Sequence, residues 1–390
     1  MQEFLQQVVS GLATGGIFAS LALALVLIYN AMGLVNFAQG EMAMFATFIA
    51  LVLIDHGLNY WIALPVTLVI AFAGGVVIQR VVVRPVERAP VLTLVIVTLG
   101  LATLVNGMAG FLFGYVPRSF PTPFSAQTVN IFGALASYQD LGVIAVSGVV
   151  LVLIYLLLQR TTLGLALRAA SHHPDASRLL GIRVSWMLAL GWGLASAVGA
   201  VSGMLAAPIL LLQPNMMQTV IIYAFAAAVL GGIESPLGAV VGGLVVGVTV
   251  NLAGAYVPGV GGDLQLAVAF AIIIAVLGIA NTLALSVLER TREIGVLRAL
   301  GMTRSQTRSM VRWESVIISL LGAVLGLAVG LGLGIVVAGS LHDLGITNVA
   351  IPGGNLILYA VAAGIFGVLA AIIPTIRAAR VDILRAIATE

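Results

Sequence analysis

QDLGVIAVSGVVLVLIYLLLQRTTLGLALRAASHHPDASRLLGIRV, residues Gln139–Val184, falls into two halves that cannot share one solvent. From Leu141 to Leu158 there is no charged side chain. Wound as a helix rising ~1.5 Å per residue, such a run crosses most of a ~30 Å hydrocarbon layer. Arg160, Arg168, Arg178 and Arg183 then follow together with two histidines, so the chain has left the membrane. The repeating unit is an apolar span closed by an arginine-bearing loop.

The same alternation runs along all 390 residues, which are 61% hydrophobic and 8% charged. With mean hydropathy +1.18, the chain has too few charges to cover a soluble globule. Spans read at 4–29, 38–55, 61–79, 91–114, 139–159, 187–213, 218–232, 236–256, 264–288, 312–340 and 355–376. The expected fold is therefore all-α, a polytopic transmembrane helical bundle of about eleven spans. The run at 218–232 is short and bounded by Gly231, Gly232 and Pro236, which marks it as a broken or re-entrant helix. Phe4–Tyr29 is span-length without a basic leader, so it reads as a span and not as a signal peptide.

Every one of the 17 basic residues is arginine. They cluster at Arg80–Arg88, Arg160–Arg183, Arg290–Arg312 and Arg377–Arg385, leaving Arg118 apart. Even numbers of spans separate the clusters, which places all four on one side, and the positive-inside rule makes it cytoplasmic. Tyr115–Gln139, which holds Arg118, then faces outward together with the N-terminus. A pI near 9.5 reflects this membrane orientation and does not indicate nucleic-acid binding.

Lysine is absent, so no G-x-x-x-x-G-K-S/T phosphate loop exists and any ATP hydrolysis belongs to another subunit. Cysteine is absent too, which removes disulfides and thiolate metal sites. His172 and His173 are adjacent, a poor spacing for sharing a metal, and no nucleophilic triad or acid pair stands out. No enzyme, metal or cofactor is expected.

Two cytoplasmic loops have helical punctuation. In Leu163–Val184, Pro174 suits a first helical position, Asp175 the positive end, Arg178 the negative end, and Gly181 the stop. The flanking spans lie over twenty-five residues apart, more than a tight connection needs. From these residues alone the loop either docks on a partner or rests on lipid headgroups. In ERTREIGVLRALGMTRSQTRSMVRWE, Glu289–Glu314, Ile294, Leu297 and Leu300 form an apolar line with Arg292, Glu293 and Arg298 opposite. Gly301 ends that helix, and Thr303 with Gln306 forms a capping box for the next. This is a rigid cytoplasmic elbow or a passive basic anchor.

Asn36, Gln39 and Glu41 sit together at a glycine break near one end of a span. Polar groups at membrane depth are costly, which makes them pathway candidates, although Glu41 could equally cap its helix at the interface. Asn106, Gln213, Asn215 and Asn251 are weaker candidates, because single polar residues usually bond across helices. Two glycine stripes, Gly238–Gly242–Gly243–Gly247 and Gly322–Gly326–Gly330–Gly334, read first as packing seams.

Gly164, Arg168, Ala169, Ala176, Leu179, Leu180, Gly181 and Ile182 resemble the G…RA…A…LLGI loop of ABC importer permeases of the branched-chain amino acid class. GLVNFAQGEMAMFATF (Gly33–Phe48), RPVERAP (Arg84–Pro90) and GGIESPLGAVVGG (Gly231–Gly243) are similar to three further segments of that family, in family order. Glu234 departs from the small or neutral residue expected there. The resemblance covers about residues 1–265. It implies that the loop at Gly164–Ile182 docks on a cytoplasmic ATPase, with a solute-binding protein outside and a sister permease or second copy alongside. NTLALSVLERTREIGVLRALGMTRSQTRSMVRWES (Asn281–Ser315) and PTIRAARVDILRAIA (Pro374–Ala388) resemble FtsX-like permeases, with Ile383 and Ile387 departing from the usual ending. Here Glu289, Arg290, Arg292, Glu293, Gly295, Arg298 and Gly301 would form a second coupling elbow.

The chain thus reads as two domains, 1–269 and 270–390, joined within Asp263–Arg290. The expected function is the permease subunit of an importer for branched-chain amino acids or related small solutes in the cytoplasmic membrane. An FtsX-like export or force-transmitting permease is the alternative.

Overall fold

The computed structural model describes residues 2–256 (except 88, 126, 132, 133 and 173), scattered positions between 265 and 297, and residues 300–340. The chain divides into two compact units, Met1–Ala269 and Phe270–Glu390.

In the first unit the buried centre is α1, Gln2–Met32, around which α5 (Tyr138–Arg160), α8 (Val184–Leu210), α9 (Met217–Gly231) and α10 (Pro236–Tyr256) pack. Glycine permits the closest of these contacts. A Cβ at Gly11 would lie 2.7 Å from Val248 Cα, and one at Gly15 would lie 2.9 Å from Leu244 Cα, so α1 and α10 touch backbone to backbone. On α10, Gly243 and Gly247 face Ala19 and Gly15 of α1, whereas Gly238 and Gly242 face Gly231 and Ala227 of α9. The first glycine stripe is a two-sided packing seam.

α2 (Gln39–Asp55) and α3 (Tyr60–Ile78) lie against α8, and α4 (Val91–Phe113) lies against α2. Asn59 caps α3 by accepting the Trp61 N–H at 2.9 Å. At its arginine-bearing end α3 loosens into a π-turn, Gln79–Val83, followed by a 3₁₀ turn, Arg84–Val86. The fully buried Gln79 amide has no partner there among the described residues. α6 (Thr162–His172) and α7 (Pro174–Leu179) fill the loop before α8.

Two features refine the expected all-α bundle. Within Tyr115–Gln139, β1 (Thr128–Ile131) pairs antiparallel with β2 (Ala134–Ser137), Val129 opposite Ala136. The β-branched Thr128, Val129 and Ile131 of β1 and the absence of a 3.6-residue apolar period favour this hairpin. Seven helices among the described residues are long and apolar enough to cross a membrane. Of the other expected spans, 38–55 and 218–232 form the shorter helices α2 and α9. Most of 264–288 and all of 355–376 lie outside the described residues.

In the second unit, α11 (Arg304–Ser340) buries Thr307, Val311, Ser315 and Ser319, four residues apart. Gly322, Gly326 and Gly330 are exposed, with no described atom within 4 Å of an added Cβ. The last member of that stripe, Gly334, lies among residues whose side chains are not described.

Candidate functional site

α1 ends where Gly33 adopts φ +66°, a conformation that glycine takes without steric cost. The chain then buries Leu34, Asn36 and Ala38 and leaves Phe37 exposed before α2 begins. Asn36 organises the break: its Oδ1 accepts the Ala38 N–H at 3.0 Å and its Nδ2 donates to Gln39 Oε1 at 3.3 Å. Gln39 Nε2 donates to the Ala195 carbonyl at 2.9 Å. Ala195 is eleven residues into α8 counted from Val184, about 17 Å from that helix's arginine-flanked end at ~1.5 Å per residue. Asn36 and Gln39 are both fully buried, so α2 starts deep inside the bundle with its polar groups satisfied locally.

Glu41 faces the other way. Only 9% exposed, it accepts a hydrogen bond at Oε2 from Asn106 Nδ2, at 3.0 Å, across to α4. The same Nδ2 reaches the Pro214 carbonyl at 2.9 Å and Asn215 Oδ1 at 3.2 Å. Gln218 Nε2 also donates to Asn215 Oδ1 at 3.2 Å. These last groups belong to the turn where the chain, after α8, folds back into the bundle to start α9. Neither α2, at Ala38, nor α9, at Met216, has a side-chain cap hydrogen bond. With 17 and 15 residues, both are shorter than the ~20 needed to span a bilayer. Two interrupted helices thus begin near each other, with a carboxylate and three amides between them.

The three pathway candidates therefore divide: Asn36 and Gln39 hold the break against α8, and Glu41 points at α4 and α9. Asn106 and Asn215, ranked lower from sequence, complete the cluster. Their signal was spacing to a distant Glu41, which linear sequence does not carry. Asn251 bonds its own helix at the Gly247 carbonyl, 3.1 Å away, and the half-buried Gln213 is placed before the turn at Asn215.

At the arginine-bearing ends, Gly164 is buried against the Leu157 and Leu158 carbonyls at the end of α5. Arg168 ties α6 back to Gln159 Oε1 at 3.1 Å, and Ala169 is half-buried. Pro174 opens α7, Asp175 and Arg178 pair across its exposed face at 3.0 Å, and Gly181 stops it at φ +82°. Ala176 and Gly181 are exposed, as are Leu179 (90%) and Leu180 (81%), while Ile182 is half-buried with its N–H on the Ser177 carbonyl at 2.9 Å. Beside α7 an open groove of about 600 Å³ is lined by Arg84, Glu87, Arg178 and Gly181–Ser185. Arg80, at the π-turn, stacks on the Trp186 ring with its guanidinium 3.7 Å from the ring centre, joining the loop after α3 to the start of α8. His173 and the His172 side chain lie outside the described residues.

In the second unit, Arg290 lies 3.8 Å from both Glu293 and Glu314, and Ser286 Oγ donates to Glu314 at 3.1 Å. Thr303 N–H meets Gln306 Oε1 at 2.9 Å and Gln306 N–H meets Thr303 Oγ1 at 3.3 Å, the reciprocal pair of a capping box. Gly301 precedes it at φ +107°. Leu297 and Leu300 are exposed. Glu289, Arg292, Ile294, Gly295 and Arg298 lie outside the described residues.

Membrane-length helices packed with two interrupted ones, with short capped helices at the arginine-flanked ends, define a polytopic permease. Residues 7–277 match the family described as branched-chain amino acid transport system / permease component, and the chain belongs to that family. Residues 266–383 match the FtsX-like permease C-terminal family, and the two matches overlap within Asp263–Arg290. The chain is 30% identical over 263 residues to the high-affinity branched-chain amino acid transport system permease protein BraD of Pseudomonas aeruginosa, covering 63% of this chain and 85% of that protein. It is 29% identical over 270 residues to the LivH permease protein of Escherichia coli, covering 65% and 87%. Across 132 residues it is 32% identical to the ABC transporter permease YtrF of Bacillus subtilis, covering 31% of this chain and 30% of that protein. No solved structure matches the chain significantly.

Proposed function

We propose that this chain is a membrane subunit of an ATP-driven importer in the cytoplasmic membrane, admitting branched-chain amino acids or related small solutes. Family membership supports the importer class. The chain has no lysine and hence no phosphate loop, so the motor is a separate ATPase. α7 is its docking element, with Leu179 and Leu180 seated in the ATPase and the arginine-lined groove meeting acidic side chains at the rim. A solute-binding protein delivers from the opposite side, and a second permease completes the pathway, since two ATPases need two docking elements. The full bundle is taken as about eleven spans with domains 1–269 and 270–390, and the elbow at Glu289–Gly301 acts as a second contact for the motor.

The exposed Leu179–Leu180 tip on a capped, salt-bridged helix is the observation that carries this function. Such apolar exposure in water is costly unless a partner covers it. ATP closure would shift α7, and the Arg80–Trp186 stack would carry that shift to α3 and α8. Asn36, Gln39 and Glu41 then belong to the solute pathway at the break between α1 and α2. The test is mass spectrometry of the ATPase captured with the tagged permease, together with labelled leucine uptake by the reconstituted complex. Uptake of leucine without any ATPase would refute the assignment.

A further inference from the structure

Glu41 is an acid without a counter-ion. It is nine-tenths buried, and among the described residues no arginine or histidine forms an ion pair with it. Its described hydrogen bond is the one Asn106 donates to Oε2, and no described donor meets Oε1. An ionised carboxylate at this depth is costly without a cation. Lysine is absent from the chain and sixteen of its arginines lie in the end clusters, while Arg118 gives its guanidinium to the Phe113 carbonyl at 2.8 Å. Among the described residues no cation therefore holds the ionised form of Glu41, and a ligand's ammonium would supply one.

The opposite polarity is built next to it. α9 starts inside the bundle at Met216 and Met217, which are 5% and 0% exposed, without a side-chain cap. Its first turn therefore presents the positive end of a helix dipole, although the Met216 and Gln218 N–H groups are taken by the Gln213 and Asn215 carbonyls at 3.1 and 3.2 Å. Asn106 and Asn215 connect the two poles by the 3.0 Å and 3.2 Å bonds from one amide. Asn215 and Gln218 are exposed, so the cluster opens on that side. An acid pole and a helix-end pole, one amide apart, match a molecule that carries an ammonium and a carboxylate on one carbon.

Resting on the importer assignment above, we propose that Glu41 receives the α-ammonium of a zwitterionic amino acid whose carboxylate is held at the N-terminus of α9, with Asn106 and Asn215 bridging. The site thereby requires both charges. It rejects carboxylates without the amine, amines without the carboxylate, and neutral solutes.

The test uses the complex of permease, ATPase and binding protein in proteoliposomes, with labelled L-leucine. Glu41→Gln keeps the size and the acceptor for Asn106 and removes only the charge. Leucine uptake is expected to fall about tenfold or more, the scale of one lost charge-assisted hydrogen bond, with Glu41→Asp intermediate. Because a variant can fail to assemble, a second measurement uses the wild-type permease–ATPase complex without binding protein. Leucine is expected to raise its unfolding temperature, and 4-methylpentanoate and 3-methylbutylamine are expected not to. Leucine uptake by Glu41→Gln equal to wild type, or stabilisation by 4-methylpentanoate equal to leucine, overturns the ammonium site and leaves the importer assignment standing. Uptake of a neutral solute such as urea, with none of leucine, overturns the amino-acid assignment and the site with it.

Discussion

Replacing Leu179 and Leu180 together by alanine should uncouple this permease from its ATPase while leaving the bundle intact. Both side chains are almost fully exposed, at 90% and 81%, so neither contributes packing that the substitution could remove. Each change deletes three carbons, worth roughly 2.4 kcal/mol if fully buried at ~0.8 kcal/mol per CH₂. If the ATPase cleft covers half of that surface, the double variant loses about 2.4 kcal/mol, or about 50-fold in affinity. The assay is titration of detergent-purified permease with labelled ATPase, paired with the unfolding temperature of the permease alone. Docking should weaken about 50-fold at an unchanged unfolding temperature. Unaltered affinity would show that α7 merely lies on the headgroups, and a lowered unfolding temperature would show that the leucines are packed after all.

Other perturbations test separate parts of the structure. Gly15→Val pushes a side chain into the Leu244 backbone, 2.9 Å from where its Cβ must sit, and should cost about 1–3 kcal/mol of stability as overpacking. It is read as a lower unfolding temperature, whereas Gly322→Ala on the open face of α11 should leave that temperature unchanged. Arg80→Met removes the cation from Trp186 at about 1 kcal/mol, and hydrogen exchange at the start of α8 should quicken about fivefold. Thr303→Val breaks the capping pair with Gln306 at about 1 kcal/mol, seen as faster exchange across residues 303–307.

The outline of the bundle was legible because a span announces itself through uninterrupted apolar length, as at Leu141–Leu158. The capped loop helix was also legible: Pro174, Asp175, Arg178 and Gly181 act within one turn of each other, and local chemistry is what sequence displays. Asn106 illustrates the opposite case. Nothing near it in the chain distinguishes it from a residue bonding across helices, and its meaning comes from Glu41, 65 positions away. The hairpin at Thr128–Ser137 escaped because two four-residue strands carry too short a pattern to set against helix periodicity. Asn36 and Gln39 were found as polar groups at a break, but which of the three residues faced α8 and which faced α4 depended on the rotation of α2, which tertiary packing sets.

The backbone contact between α1 and α10 has a mechanical consequence. With glycine at Gly11, Gly15, Gly243 and Gly247, no layer of flexible side chains separates the two helices along this seam to absorb sliding, so they behave as a single strut. Spectroscopic labels placed on this strut should keep one separation through every stage of the ATP cycle. Changes in separation should instead gather at the starts of α2 and α9, where hydrogen bonds through side chains, and not a glycine seam, fix the backbone.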